Sequence, residues 1–435
     1  MGAEPVGPRG LSVRRRLDLP ALANPLIAFT ALWFAGVALS QIHVFSFQRN
    51  WSAFVWAIML LAPAGFVIGG LIGRDLVARR VTPSREATEL GPAQRRRLRI
   101  LLVLCLAVGY AEMVHQFAAA GAVPLLAENI DATRAAQPGG PTVVLTQFLT
   151  VAMILGLLAP PRLLSWRAAP EIAAAGVASL GFLLAGGRGT IAIGLLGAAL
   201  ARMLYWGAPR PRVVLGGLAL GYAALATMFF VRAGQHRGNA FEAELFDDVI
   251  PSTPVVLRPY LALHVGLTTN FNVLDRLTGV FPSVHAWGYG AYSTSGFDAV
   301  VPGTEQLSDV AKEVASPFIT STAAGPYFAD GGAPGVVVGM ALFGLVTVAA
   351  YTWARRSGSF VACMIGGYVT YIALFGVYTN LFTEHPDWAV VIPCLAVAGY
   401  LVRLPEDHGP RRVAAALIDA LRPPGSSGRA PGARP

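Results

Sequence analysis

The stretch APEIAAAGVASLGFLLAGGRGTIAIGLLGAALARMLYW, residues 169–206, decides the fold. It contains two apolar runs, 169–186 and 189–206, and only a Gly-Arg-Gly turn separates them. Each run is about as long as a helix must be to cross a membrane, and glycine lets the backbone turn sharply. The stretch therefore predicts a tight hairpin of two membrane-spanning helices.

Arg188 stands at the tip of this hairpin, and no acidic residue is near it in sequence. A charge at a membrane boundary without a local partner is costly. An arginine presented between glycines suits an anion, most often a phosphate. The alternative is an ordinary interfacial arginine whose side chain extends to the lipid headgroups. Which reading holds depends on the side of the membrane that Arg188 faces.

Apolar stretches of this kind recur along the whole chain. The sequence is 54% hydrophobic and 13% charged, whereas an ordinary soluble domain is about 25% charged. The pattern predicts an all-α polytopic membrane protein with about ten transmembrane helices. The predicted spans are 25–45, 51–73, 99–120, 142–160, 169–186, 189–206, 213–231, 332–354, 359–380 and 387–403.

The basic residues predict the orientation of these spans. Cytoplasmic segments of membrane proteins are enriched in Lys and Arg, and with the N-terminus inside, the cytoplasmic segments hold 25 of the 33 basic residues. Both termini are then cytoplasmic, and the +9 net charge needs no nucleic-acid partner. We expect a basic N-terminus at 1–24 that precedes a retained signal anchor. A transmembrane domain at 25–404 and a mostly disordered tail at 405–435 follow.

Eight basic residues remain on the outer side, where this rule does not account for them. Four of them, Arg134, Arg188, Arg232 and Arg258, lie near predicted span ends or in outer loops, and we expect them to bind one diphosphate group. For each arginine alone, a solvated or headgroup-facing side chain is the alternative. A large outer loop, 232–331, is predicted to be partly helical, with an amphipathic segment along the membrane face.

The candidates for acid–base chemistry lie in the same outer loop. His264 follows Arg258 by six residues and can share a helical face with Tyr260, so it is the first candidate general base. His285 is the second. Asp330 precedes two glycines at the start of the eighth span, where it is either catalytic or a helix cap. No pair of His or Cys has the spacing of metal ligands, so the sequence predicts no metal site.

Several short motifs, in this order along the chain, resemble the oligosaccharide repeat-unit (O-antigen) polymerases of the Wzy type. They are Gly121-Ala-Val-Pro124 with Arg134, the Gly-Gly-Arg188-Gly turn, Tyr260 with Asn270-Phe271-Asn272, and Thr320 to Gly335 with Tyr327 and Asp330. The resemblance covers about residues 20–405. The family more often has Ser-Gly-Ser-Arg and Asp-Phe-Gly where this chain has Ala-Gly-Gly-Arg and Asp-Gly-Gly.

The resemblance implies a GT-C-like, metal-independent glycosyltransferase without a cofactor, acting on the outer face of the cytoplasmic membrane. It would join polyprenyl-diphosphate-linked oligosaccharides into a cell-surface polysaccharide and release undecaprenyl diphosphate. Tyr260, Asn270 and Tyr327 would bind sugar. Besides this substrate and the membrane lipids, a chain-length regulator protein is a partner to consider.

Two other functions stay open at this point. A ligase, related to the O-antigen ligases, would use the same diphosphate site and transfer the glycan to another acceptor. A transporter or flippase for lipid-linked sugar would favour paired broken helices in two repeated halves, and the sequence has no evident internal repeat. Sugar identity, linkage and stereochemical outcome are not encoded in any motif that we recognise.

Overall fold

The computed structural model describes most of residues 23–404. The described ranges are 23–83, 87–127, 133–134, 136–137, 141–163, 165–186, 188–207, 257–297, 303–315, 320–383 and 387–404, with isolated positions between 209 and 254. Within these ranges the regular structure is helical, and no strand occurs.

Eleven α-helices are defined in the described part of the chain. They are α1 (Pro25–Ser40), α2 (Ala53–Arg80), α3 (Pro92–Ala120), α4 (Phe148–Leu158), α5 (Ala169–Leu184), α6 (Arg188–Trp206), α7 (Arg258–Val280), α8 (Leu307–Ala315), α9 (Ala324–Ser357), α10 (Phe360–Phe375) and α11 (Asp387–Arg403). Short 3-10 turns cover Pro124–Leu126, Pro141–Gln147, Trp166–Ala168 and Ser295–Phe297.

The apolar helices confirm the class of a helical membrane protein. Among the described residues, α2, α3, α5 with its preceding turn, and α9 are long and apolar enough to cross a membrane. Four shorter apolar helices correspond to α1, α4, α6 and α10. Nine of the ten predicted stretches coincide with one of the helices above. The remaining stretch, 213–231, lies mostly outside the described residues.

The closest helix pair is α2 against α9, and glycines make it possible. Gly65, Gly69 and Gly73 repeat at four-residue intervals on one face of α2. A methyl group added at Gly69 would lie 1.7 Å from the Ala341 carbonyl oxygen of α9. Small residues at such spacing let two helix backbones touch within a membrane, so α2 and α9 pack in direct backbone contact.

Contacts between helices distinguish two ends of the bundle. At one end, where α2 and α9 finish, Arg356 donates to the Ala78 and Val81 carbonyls. We call this the basic end. At the other end, which we call the α7 end, α7 packs across α1, with the rings of Trp33 and Phe271 5.0 Å apart. The predicted amphipathic segment is therefore a helix that is anchored to the bundle.

Helix α9 starts eight residues before the predicted span at 332–354, and a break in its backbone separates these residues from the span. Gly331 and Gly332 are not helical, and Gly332 has a positive φ of 62°. The predicted span begins at this break, and the residues before it, Ala324–Asp330, form a separate helical turn. A methyl group at Gly332 would approach the Trp287 ring to 3.1 Å. The break thus shapes the α7 end.

Candidate functional site

Tyr260, His264 and Gln48 form a hydrogen-bonded chain at the start of α7. The Tyr260 hydroxyl lies 3.0 Å from His264 Nδ1, and Gln48 Nε2 lies 3.1 Å from His264 Nε2. The side-chain oxygen of Gln48 accepts from two backbone N–H groups, those of Val44 and Phe45. This fixes the amide so that its NH₂ group points at the histidine.

The network assigns a tautomer to His264. An amide NH₂ only donates, so Nε2 accepts, and Nδ1 carries the proton and donates to the Tyr260 oxygen. Burial lowers the pKa of His264 below its ordinary value of 6.5, in agreement with a neutral ring. The His264 side chain is fully buried and both nitrogens are occupied, whereas half-buried Tyr260 keeps a free O–H proton. Tyr260 is therefore the member of this chain that a substrate can reach.

A second group lies beyond the other end of α7. His285 Nε2 is 3.1 Å from a carboxylate oxygen of Glu313 on α8, and the His285 side chain is 25% exposed. Among the described residues, its other ring nitrogen has no hydrogen-bond partner. A histidine held by a carboxylate, with one nitrogen accessible, is an arrangement suited to general-base catalysis.

His264 and His285 lie far apart, near opposite ends of α7. From His264 to Val280, the last residue of α7, there are sixteen residues, which span roughly 24 Å at the rise of an α-helix. His285 follows Val280 in a turn. The sequence predicts them as alternatives for one role, and at this separation they cannot both act on the same reacting atoms.

Asp330 is held at the break in α9 by backbone groups of a distant loop. Its carboxylate accepts hydrogen bonds from the N–H groups of Tyr292 at 3.0 Å and Ser293 at 2.8 Å. Its carbonyl accepts from Tyr289. The side chain thus caps the 288–293 loop rather than its own helix. This loop lies beside the His285 group, because the rings of Phe281 and Tyr292 make an edge-to-face contact with their centroids 5.5 Å apart.

The predicted sugar-binding residues Asn270 and Tyr327 both contact other parts of the protein. Asn270 is buried, and its side-chain oxygen accepts from the Thr320 hydroxyl at 2.7 Å. Half-buried Tyr327 lies beside Asn380, whose side chain donates to the Ala323 carbonyl. The two residues connect α7, α9 and the segment that follows α10.

The four predicted diphosphate arginines are described to different extents. Arg188 and Arg258 are the first residues of α6 and α7, and their side chains are outside the described part. Arg134 is exposed in a short helical turn. Arg232 lies outside the described residues. Their convergence on one group therefore remains a prediction.

Glu112 is a functional candidate that the sequence reasoning passed over. It is 8% exposed within α3 and accepts hydrogen bonds from Gln116 and Thr142, both at 3.1 Å. His115 lies 3.8 Å from the same oxygen. A carboxylate inside a span is by default a functional hypothesis. The signal was available: Glu112 and Gln116 stand one helical turn apart in an apolar stretch.

Comparisons with protein-family models, with curated proteins and with solved structures give no match. What this site does is therefore inferred from its own residues. Two cavities found in the described part lie at the basic end, and none of the predicted site residues lines them.

Proposed function

We propose that the protein is a glycosyltransferase of the cytoplasmic membrane that joins lipid-diphosphate-linked oligosaccharides into a cell-surface polysaccharide. Its active site would lie at the α7 end and face away from the cytoplasm. The concentration of arginines at the opposite end supports this orientation, because cytoplasmic segments are enriched in them. The observation that carries the proposal is the position of Arg188 at the start of α6.

The packing of α6 against α10 indicates which residues surround Arg188. A methyl group added at Gly367 would contact Ala201, and one at Gly197 would contact Tyr368, so the two helices run antiparallel in a fixed register. In this register Phe375, the last residue of α10, is level with the first turns of α6. Arg188 thus starts α6 on the side where the segment after α10 begins. Asn380, which lies beside Tyr327, belongs to that segment.

The helix start is an unusual place for an arginine. The N-terminus of a helix carries partial positive charge and free N–H groups, so a cation there is unfavourable and an anion favourable. Arg188 follows Gly186, whose φ of 69° ends the preceding turn and lets α6 begin at once. An anionic ligand would satisfy both the guanidinium and the helix N–H groups. A diphosphate offers oxygens for the bidentate contacts that arginine makes.

The reaction would proceed by attack of a sugar hydroxyl on the anomeric carbon of the donor. The bond from that carbon to the diphosphate oxygen breaks, and undecaprenyl diphosphate leaves with its charge neutralised by arginine. Among the predicted bases, His285 has the most suitable surroundings, since Glu313 orients it and one nitrogen is accessible. It would accept the hydroxyl proton. Asp330 would hold the adjoining 288–293 loop in place.

The second arginine position favours polymerisation over ligation. Arg258 starts α7 near Tyr260, at the end of α7 that is far from His285. A polymerase binds two lipid-diphosphate-linked glycans at once, and in this proposal Arg258 binds the second diphosphate instead of converging with Arg188 on one group, as the sequence predicts. A ligase with an acceptor that lacks a diphosphate would need only one diphosphate site.

The proposal is tested with purified protein in lipid nanodiscs, supplied with a lipid-diphosphate-linked oligosaccharide and no second acceptor. We expect a ladder of multiples of the repeat unit, with free undecaprenyl diphosphate released, also in the presence of chelator. Unchanged substrate would contradict self-polymerisation. Release of diphosphate only after addition of a lipid or wall acceptor would indicate a ligase.

A further inference from the structure

The segment that joins α1 to α2, residues 41–52, packs along α7, and we call it the α1–α2 strap. Phe45 of the strap is buried together with Leu261 of α7. Arg49 of the strap pairs with the carboxylate of Asp275 at 2.5 Å. These two contacts lie about four helical turns apart on α7, so the strap follows the helix over most of its length.

Between these contacts, the side chain of Gln48 joins the strap to His264. Its Oε1 accepts from the backbone N–H groups of Val44 and Phe45 at 2.7 Å and 3.1 Å, so its NH₂ group faces His264 Nε2 at 3.1 Å. The same NH₂ group lies 3.5 Å from the hydroxyl oxygen of Thr268, whose own proton is donated to the His264 carbonyl. The NH₂ group therefore faces two acceptors on α7.

This arrangement requires a neutral His264 ring. Because Nδ1 already donates to the Tyr260 oxygen, an added proton must bind Nε2. Nε2 then becomes a donor that faces the NH₂ group of Gln48, which is also a donor. The amide cannot offer its oxygen to the ring without turning its NH₂ group toward the N–H groups of Val44 and Phe45, which donate as well. Protonation therefore removes the contact between Gln48 and His264, and a lost hydrogen bond at a buried site costs free energy.

Among the described residues, no carboxylate pairs with His264 to stabilise a protonated ring. Helix α1 has no ionisable side chain, His43 of the strap is exposed, and the side chain of Arg258 lies outside the described part. The other charged groups of the strap, α7, α8 and the break in α9 have partners of their own: Arg49 with Asp275, Arg276 with the carbonyls of Phe47 and Val314, His285 with Glu313, Lys312 with Asp309, and Asp330 with the N–H groups of Tyr292 and Ser293. Burial lowers the pKa of His264 below 6.5, in agreement with these surroundings.

We propose that the α1–α2 strap is a pH-sensitive latch, in which a proton on His264 Nε2 separates Gln48 from α7 and releases the strap from the start of that helix. The ring binds a proton more weakly while the strap is docked than after its release, so acid favours the released form. The strap is fully docked above pH 6.5 and is released as the pH falls below that value. The pair of Arg49 and Asp275 is not changed by this proton, so the release is confined to the part of the strap around Gln48. It uncovers the start of α7, where Tyr260 stands.

Hydrogen exchange of the full chain in nanodiscs, measured without substrate from about pH 7.5 to about pH 5, tests the proposal. The reporters are the N–H groups of Val44 and Phe45, which donate to Gln48 Oε1. Their protection factors, which correct for the intrinsic pH dependence of exchange, should fall about tenfold per pH unit below pH 6.5, the slope for one bound proton. Amides of the α2–α9 pair should keep their protection. Protection of the two reporters that does not change with pH would overturn the proposal.

A variant pair assigns the response to the contact between Gln48 and His264. In Gln48→Glu one carboxylate oxygen can accept from the two N–H groups and the other from a protonated Nε2, so protection should no longer fall in acid. The matched control His43→Gln, which changes an exposed histidine of the same strap, should respond as the wild type does. A wild-type response in Gln48→Glu, or a lost response in His43→Gln, would overturn the proposal. Neither result depends on glycosyl transfer, so this test is separate from that of the proposed function.

Discussion

The two ends of the bundle use the same residue type for opposite purposes. At the basic end, arginines donate to carbonyl groups where helices finish. Arg202 reaches the carbonyls of Leu157, Pro160 and Pro161, and Arg356 reaches those at the end of α2. Helix C-termini carry partial negative charge and free carbonyls, so these arginines stabilise the fold.

At the α7 end, two arginines stand where helices begin. Arg188 and Arg258 each open a helix, where the partial charge is positive and the fold gains nothing from a cation. The difference teaches that the helix terminus affects which partners an arginine can have. Arg202 and Arg356 have protein carbonyls as partners, whereas the position of Arg188 and Arg258 suits an anionic ligand.

The largest expected effect concerns the helix pair that joins the two ends. Gly69→Ala should cost about 3 kcal/mol of stability, because its methyl group would overlap the Ala341 carbonyl and force α2 from α9. Thermal unfolding in detergent measures this cost. The control Gly176→Ala, whose methyl group meets open space, should be neutral or stabilising. Equal melting temperatures for both variants would refute the packing.

The next effect tests the base at the α7 end. His285→Gln should reduce the polymerisation rate at least about a hundredfold, the usual contribution of a general base. Glu313→Gln should reduce it less, because the ring keeps its position in part. Initial rates in nanodiscs measure both. The control is His43→Gln, an exposed histidine at the same end. A His285→Gln variant as active as this control would remove His285 from the mechanism.

At the basic end the effect should be on stability alone. Arg202→Lys keeps the charge but loses the fork that reaches three carbonyls. We expect a loss of about 2 kcal/mol in unfolding free energy with an unchanged rate per folded molecule. A lower rate at unchanged unfolding free energy would contradict a purely structural role of Arg202 at the basic end.

The smallest effect is a pH dependence from His264. Burial lowers its folded-state pKa below 6.5, so below that pH the unfolded chain binds a proton that the folded chain resists. Its contribution to stability is complete above pH 6.5 and is lost as the pH falls. Unfolding free energy measured between pH 7.5 and about 5 should fall more steeply for the wild type than for His264→Gln. Parallel curves would contradict a buried neutral ring.

Sequence predicted the α5–α6 hairpin nearly to the residue, because apolar length and a glycine turn are local signals. The spacing of Gly65, Gly69 and Gly73 was also readable, although only the structure identifies α9 as their partner. The start of α9 was missed. Apolar length does not register a helical segment as short as Ala324–Asp330, which a glycine break separates from the apolar span.

The site was less predictable, because its polar side chains form hydrogen bonds with residues far away in sequence. Asp330 bonds backbone groups 37 and 38 residues away, and His264 bonds Gln48, 216 residues away. No local pattern encodes such pairs. The sequence proposed His264 and His285 as alternatives, and only the fold distinguishes a fully enclosed ring from an accessible one.

The most direct test of the account is the polymerisation rate of Arg188→Lys in nanodiscs. Lysine keeps the charge at the start of α6 but cannot contact a diphosphate bidentately, so the rate should fall roughly a hundredfold with an unchanged melting temperature. Arg355→Lys, at an exposed position of the basic end, should be indistinguishable from wild type. An Arg188→Lys variant as active as this control would contradict a diphosphate at the start of α6.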